Sequence, residues 1–70
     1  AMMEREVSLN GQRVTTSAPT LQTLLQAQGY NLSNAMACAV NREFVARPRW
    51  SEHVLQAGDQ IDVITPITGG

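Results

Sequence analysis

Apolar and polar residues alternate from the start of the chain, with Val7 and Leu9 separated by Glu6 and Ser8, the period-two pattern of a strand with one buried face. Asn10-Gly11 follows directly. This pair suits a two-residue type I′ turn, because both central residues must take positive φ. Such a turn sets Leu9 opposite Gln12 and Val7 opposite Val14, so Val7, Leu9 and Val14 share one face. The period then changes. After Ser17-Ala18-Pro19, Thr20 offers a hydroxyl to cap a helix, and Leu21, Leu24 and Leu25 recur at helical spacing. Gly29 supplies the left-handed residue that ends a helix, so the pattern predicts a short helix over 21–28.

Alternation returns over 35–40, with Met36, Cys38 and Val40 on a bulky face and Ala35, Ala37 and Ala39 on a nearly bare one. Asn41-Arg42-Glu43 reads as a turn into a short strand at Phe44-Val45. Arg47-Pro48-Arg49-Trp50 interrupts it, since proline cannot donate to a ladder. Ala57-Gly58-Asp59 is a further turn. The last strand, 60–65, turns Ile61 and Val63 inward and Asp62 and Ile64 outward, and Pro66 closes it. A hairpin, a crossing helix and three further strand segments predict an α+β chain: a mixed sheet wrapped around one short helix, the ubiquitin-like β-grasp layout. No linker or repeat divides residues 1–70, which read as one domain with a tail from about residue 66. Ala1, ahead of Met2-Met3, reads as an expression remnant outside the domain.

Seventy residues with a single cysteine, Cys38, rule out an internal disulfide, and no metal-ligand cluster is apparent, so hydrophobic burial has to hold the fold. A domain this small hides only about 60% of the surface its unfolded chain exposes, which leaves little apolar material to line an internal pocket. Function is therefore expected on the surface or at an end, and a catalytic site is not expected. Five arginines against six acidic residues give a net charge of -1 without a basic stripe, which argues against nucleic acid as a partner. No apolar run reaches the roughly 20 residues of a membrane span, and neither a signal segment nor a membrane partner is expected. A cytoplasmic location follows as the expectation, with the unpaired cysteine in keeping with a reducing compartment. The chain has no lysine, so it carries no side-chain amine that could accept a conjugate.

Gly69-Gly70 is the candidate working part. Terminal glycines are ordinarily a frayed end. Here they follow a strand, and two residues without Cβ make the slimmest peptide available, able to enter a narrow channel. At ~3.3–3.6 Å per extended residue, Pro66 to Gly70 can reach roughly 15 Å from the domain. A free carboxylate on Gly70, with a pKa near ~3.5, is ionised at neutral pH and able to attack an activated phosphate. It is a poor acyl electrophile until an enzyme activates it. Cys38, between Met36 and Val40, reads as a small core hydrophobe, and His53 has no partner at motif spacing. Arg47 and Trp50 suit either a partner-docking element or a tryptophan closing the end of the core. Ile64, outward beside the alanine face, is either a docking residue or incidentally exposed.

The chain resembles the ThiS family, the sulfur-carrier proteins of thiamine biosynthesis. The resemblance runs through Leu9-Asn10-Gly11 and Thr20-Leu21-Gln22-Thr23-Leu24-Leu25. It continues in Ala39-Val40-Asn41, Val45-Ala46-Arg47-Pro48-Arg49-Trp50, Leu55-Gln56-Ala57-Gly58-Asp59-Gln60-Ile61 and Gly69-Gly70. It implies that a ubiquitin-activating-type (ThiF-like) adenylyltransferase uses ATP to form an adenylate on Gly70, with no cofactor bound by the carrier. A sulfurtransferase or cysteine desulfurase system would convert that adenylate to a thiocarboxylate, and a ThiG-like thiazole synthase would take the sulfur. Gly69 and Gly70 would enter the partner's active site, and docking candidates are Ile64, Ile67, Arg47 and Trp50. Gly-Asp before a hydrophobic strand and Gly-Gly are shared with molybdopterin-synthase small subunits, and so is a proline ahead of the glycines, whereas Arg47 and Trp50 favour thiamine. A ubiquitin-like protein modifier is the alternative of a different class.

Overall fold

The computed structural model describes residues 3–66. Strands β1 (Arg5–Leu9) and β2 (Gln12–Thr16) form the hairpin, α1 is Leu21–Ala27, and β3 (Ala37–Val40), β4 (Glu43–Val45) and β5 (Gln60–Ile64) follow, with a 3₁₀ turn at Arg47–Arg49. The sheet order is β2-β1-β5-β3-β4. β5 lies parallel to β1 and antiparallel to β3, so the sheet is mixed, and α1 covers one face as the β-grasp layout requires.

The register expected of the first hairpin is present, with Val7 opposite Val14 and Leu9 opposite Gln12. Asn10 (φ 51°) and Gly11 (φ 82°) both take the positive values that a type I′ turn needs. The helix is one residue shorter than the spacing predicted, because Gln28 is its C-cap. Gly29 at φ 90° then lets the Gly29 and Tyr30 N–H groups return to the Gln26 and Leu25 carbonyls, the paired bonds of a Schellman ending.

Seven residues make a marginal helix in isolation, and its first N–H groups need acceptors. Thr20 and Thr23 supply one through a reciprocal capping box. The segment after β4 supplies two more, since Leu21 N–H donates to the His53 carbonyl (2.9 Å) and Gln22 N–H to that of Trp50 (3.0 Å). Leu21, Leu24 and Leu25 are fully buried against Val7, Leu9, Cys38, Val40 and Ile61. At about 1.5–3 kcal/mol for each buried leucine, this stripe is a main source of stability.

Two strand boundaries differ from the alternation. β3 begins at Ala37 instead of Ala35, and β5 ends at Ile64 instead of Thr65. Each boundary sets the other, because Ala37↔Ile64 is the last pair the two strands share. The β3–β4 turn holds Asn41 at φ 53° and Arg42 at φ 68°, a two-residue turn like the first but without its glycine. An L-residue with a side chain resists this conformation. Arg42→Gly should raise the unfolding free energy by about 0.5–1 kcal/mol in urea titration; an unchanged or lower midpoint would mean that the arginine contacts outweigh its backbone strain.

Candidate functional site

The sequence pattern centres on the end of β5, and the fold puts that strand in the middle of the sheet. Thr65 and Pro66 leave it directly. Gly69, Gly70 and the docking candidate Ile67 lie outside the described residues. Thr65 and Pro66 form one side of a groove of about 300 Å³ whose other side is Asn34 and Ala35, from the α1–β3 connection.

Around this exit the outer face of the sheet gathers apolar residues beside Asp62. Ile64 is 63% exposed and sits opposite Ala37, while Ala39 lies between Asp62 and Phe44. Phe44 is 73% exposed. Two bulky apolar residues therefore flank a floor of alanines whose methyl groups leave the sheet surface low. Exposed apolar area gathered in this way marks an interaction surface more than scattered residues do. Sequence reading found Ile64 and missed Phe44. The signal was there, since β4 reads Glu43-Phe44-Val45 and an inward Val45 puts Phe44 outward.

Trp50 requires a correction. It is only 2% exposed, and its indole N–H donates to the Val45 carbonyl (2.9 Å), so its ring belongs to the core and offers no docking surface. Burial of a large ring with its one polar atom satisfied makes it the plug at the open end of the sheet. Arg47 is exposed but engaged. Its guanidinium stacks 4.6 Å above the Trp50 ring, with one nitrogen on the Asn34 carbonyl (2.7 Å) and the other on that of Leu32. It thereby clamps the connection that walls the groove, with donors and a planar face that arginine alone combines.

Three asparagine and aspartate side chains that read only as turn formers do more. Asp59, 9% exposed, accepts from the Gln56 N–H (2.9 Å) and from the Asn41 amide (3.1 Å). The Asn41 oxygen accepts from Gln60 N–H (2.9 Å), and the Asn10 oxygen from Val63 N–H (2.8 Å). Both hairpin turns thus reach β5. His53 is partly buried, and its carbonyl serves the helix cap. Among the described residues no cluster of His, Cys, Asp or Glu is placed to hold a metal ion, and no helix is long and apolar enough to cross a membrane.

The fold, a mixed sheet with its last strand in the middle and one helix across it, agrees with comparison to known proteins. The ThiS family model matches residues 4–70. The chain belongs to the ThiS family. The sulfur carrier protein ThiS of Escherichia coli (strain K12) is 33% identical over 66 residues, covering 93% of this chain and 98% of that protein. The crystal structure of the thiamine biosynthesis protein ThiS from Geobacter metallireducens superposes with a TM-score of 0.77 at 19% identity, over 93% of this chain and 99% of that one. At that identity the likeness speaks for the fold, and the fold is the ubiquitin-like β-grasp. A mixed sheet around one helix is what the alternating sequence predicted.

Cys38 is buried in the inner face, and burial pushes its thiol above the ordinary value of 9.0, with the positive charge of Arg47 opposing to a smaller degree. The thiol is thus held neutral, the state least suited to nucleophilic sulfur chemistry. Because the folded value is the higher one, the unfolded chain releases its proton first, and this contribution to stability is intact below pH 9.0 and shrinks as pH rises through the folded value. Urea midpoints measured above pH 9.0 should fall less steeply in Cys38→Ala than in the parent. Identical slopes would show that the thiol is not shielded.

Proposed function

We propose that this chain is a sulfur carrier of thiazole formation in thiamine biosynthesis, acting in the cytoplasm, with Gly70 as the residue that bears the sulfur. The observation that carries the reading is the central position of β5, together with a family match that runs through Gly70. The named sulfur carrier at 33% identity supports it. The chain acts as cargo for other enzymes and catalyses no step itself.

In this reading the Gly70 carboxylate attacks the α-phosphate of ATP in an adenylyltransferase of the ubiquitin-activating type. An acyl–phosphate bond forms and pyrophosphate leaves. A persulfide sulfur from a sulfurtransferase or cysteine desulfurase system then displaces AMP to form an acyl disulfide, and a thiol reductant cleaves its S–S bond, which leaves a thiocarboxylate on Gly70 and the reductant oxidised to a disulfide. Thiazole synthase takes the sulfur. ATP is consumed by the partner and is not held by this chain. The requirements on the carrier are a terminus thin enough to reach the partner's reaction centre and a body that docks in a fixed orientation. Glycines 69 and 70 meet the first. The outer face with Ile64 and Phe44 suits the second, with Arg47 holding the neighbouring wall and Ile67 kept as a further docking candidate.

Pyrophosphate release by the adenylyltransferase in the presence of this chain and ATP should vanish when Gly70 is deleted. Persistence of the signal in the deletion would defeat the reading. Ile64→Asp should raise the KM for the carrier about tenfold, as expected for the loss of one apolar contact and burial of a charge, while its melting curve stays near that of the parent because the side chain is already in water. An unaltered KM would remove this face from the docking surface.

A further inference from the structure

β5 has unequal support along its length. On the β3 side the pairing runs to its last residue, Ala37↔Ile64. On the β1 side the described pairs are Ser8↔Gln60 and Leu9↔Ile61, because β1 turns away at Asn10-Gly11. Asn10 N–H still donates to the Ile61 carbonyl (2.9 Å), and from there its side chain takes over: its oxygen accepts from Val63 N–H at 2.8 Å. The amide orientation is fixed by its partners. Val63 N–H can only donate, so the oxygen faces it, and the amide nitrogen donates to the Tyr30 hydroxyl at 3.3 Å. One carboxamide therefore extends the β1–β5 ladder beyond the backbone of β1 and ties it to Tyr30, whose N–H returns to the Leu25 carbonyl just past the end of α1.

We infer that Asn10 is a positioning residue for the tail: by holding the Val63 peptide it fixes the direction in which Thr65 and Pro66 leave the sheet. The inference rests on the sulfur-carrier reading for its consequence in activity, but its structural part stands without it. Val63 is three residues before Pro66, so freedom at this peptide is magnified along the extended segment beyond. A chain end that samples more directions is in the productive one less often, and the partner must supply the ordering on binding. Asparagine combines what the site asks for. It accepts the left-handed backbone at φ 51° and carries both an acceptor and a donor at its tip.

The turn and the tether can be separated by two substitutions in the full-length chain. Asn10→Gly keeps the positive φ of a two-residue turn and removes the tether. Asn10→Asp keeps a side chain suited to the turn and an oxygen for Val63 N–H, and Tyr30 can donate to the carboxylate. Asn10→Gly should leave the melting temperature within a few degrees of the parent, speed Val63 amide exchange by about five- to tenfold, lower the ¹⁵N order parameters of Val63 to Thr65 and raise the adenylation KM of the carrier by about three- to tenfold with kcat near the parent value. Asn10→Asp should restore all of these to within about twofold. A merely structural turn residue would not give this split between KM and kcat or this rescue. Unchanged exchange and order parameters in Asn10→Gly overturn the inference, and so does an unchanged KM alongside a released Val63. If the parent chain is not adenylated at all, the carrier reading fails, and the exchange and order parameters of the two variants decide the positioning role.

Discussion

A strand between two neighbours has both of its backbone edges occupied, and in this chain the strand so placed is the last one. β5 pairs with β1 on one side and β3 on the other, and its Ile61 is completely buried beneath the helix. The start of β5 is paired on both sides, and its end is held by β3 and by the Asn10 carboxamide. Most chain ends fray because nothing holds the residues before them. Thr65 and Pro66 leave a strand that stays paired with β3 as far as Ile64.

That restraint has to come from a small core. The leucines of a seven-residue helix, the inner faces of five short strands and one tryptophan make up the buried apolar set, with no disulfide or metal among the described residues to reinforce it. Polar tethers therefore carry structure that a larger protein would leave to packing. The capping threonines and the His53 and Trp50 carbonyls satisfy the start of the helix, Asp59 and Asn41 hold the beginning of β5, and Arg47 closes the connection between helix and sheet. All buried polar side-chain atoms among the described residues have partners. In a domain with so little hydrophobic surplus, one orphaned buried donor or acceptor, at about 1–3 kcal/mol, would consume a large part of the margin.

Local chemistry was legible in the sequence. Asn10-Gly11 announces its turn, the leucine spacing announces the helix, and the bulky and bare faces of 35–40 separate inside from outside before any partner strand is known. Long-range placement was not. The Asn10–Val63 bond joins residues 53 apart in the chain, and an asparagine that already explains a turn shows no sign of a second task. Trp50 stayed open between a docking element and a cover for the core for a related reason, since an irregular Arg-Pro-Arg-Trp segment does not show which way the ring turns, and its burial decides for the core. Phe44 is the opposite case, an outward aromatic that alternation from Val45 would have revealed. The ends of β3 and β5 depend on each other and so could not be read from either strand alone.

A sulfur carrier of this kind holds its sulfur on the terminal carboxyl group of Gly70 and nowhere else in the chain. Intact and fragment mass spectrometry of the protein recovered from cells making thiamine tests this most directly. One oxygen should be exchanged for one sulfur, and the difference should lie in the fragment that contains Gly70. Sulfur found instead on Cys38, or a Gly70 joined to lysines of other proteins and never carrying sulfur, would contradict it.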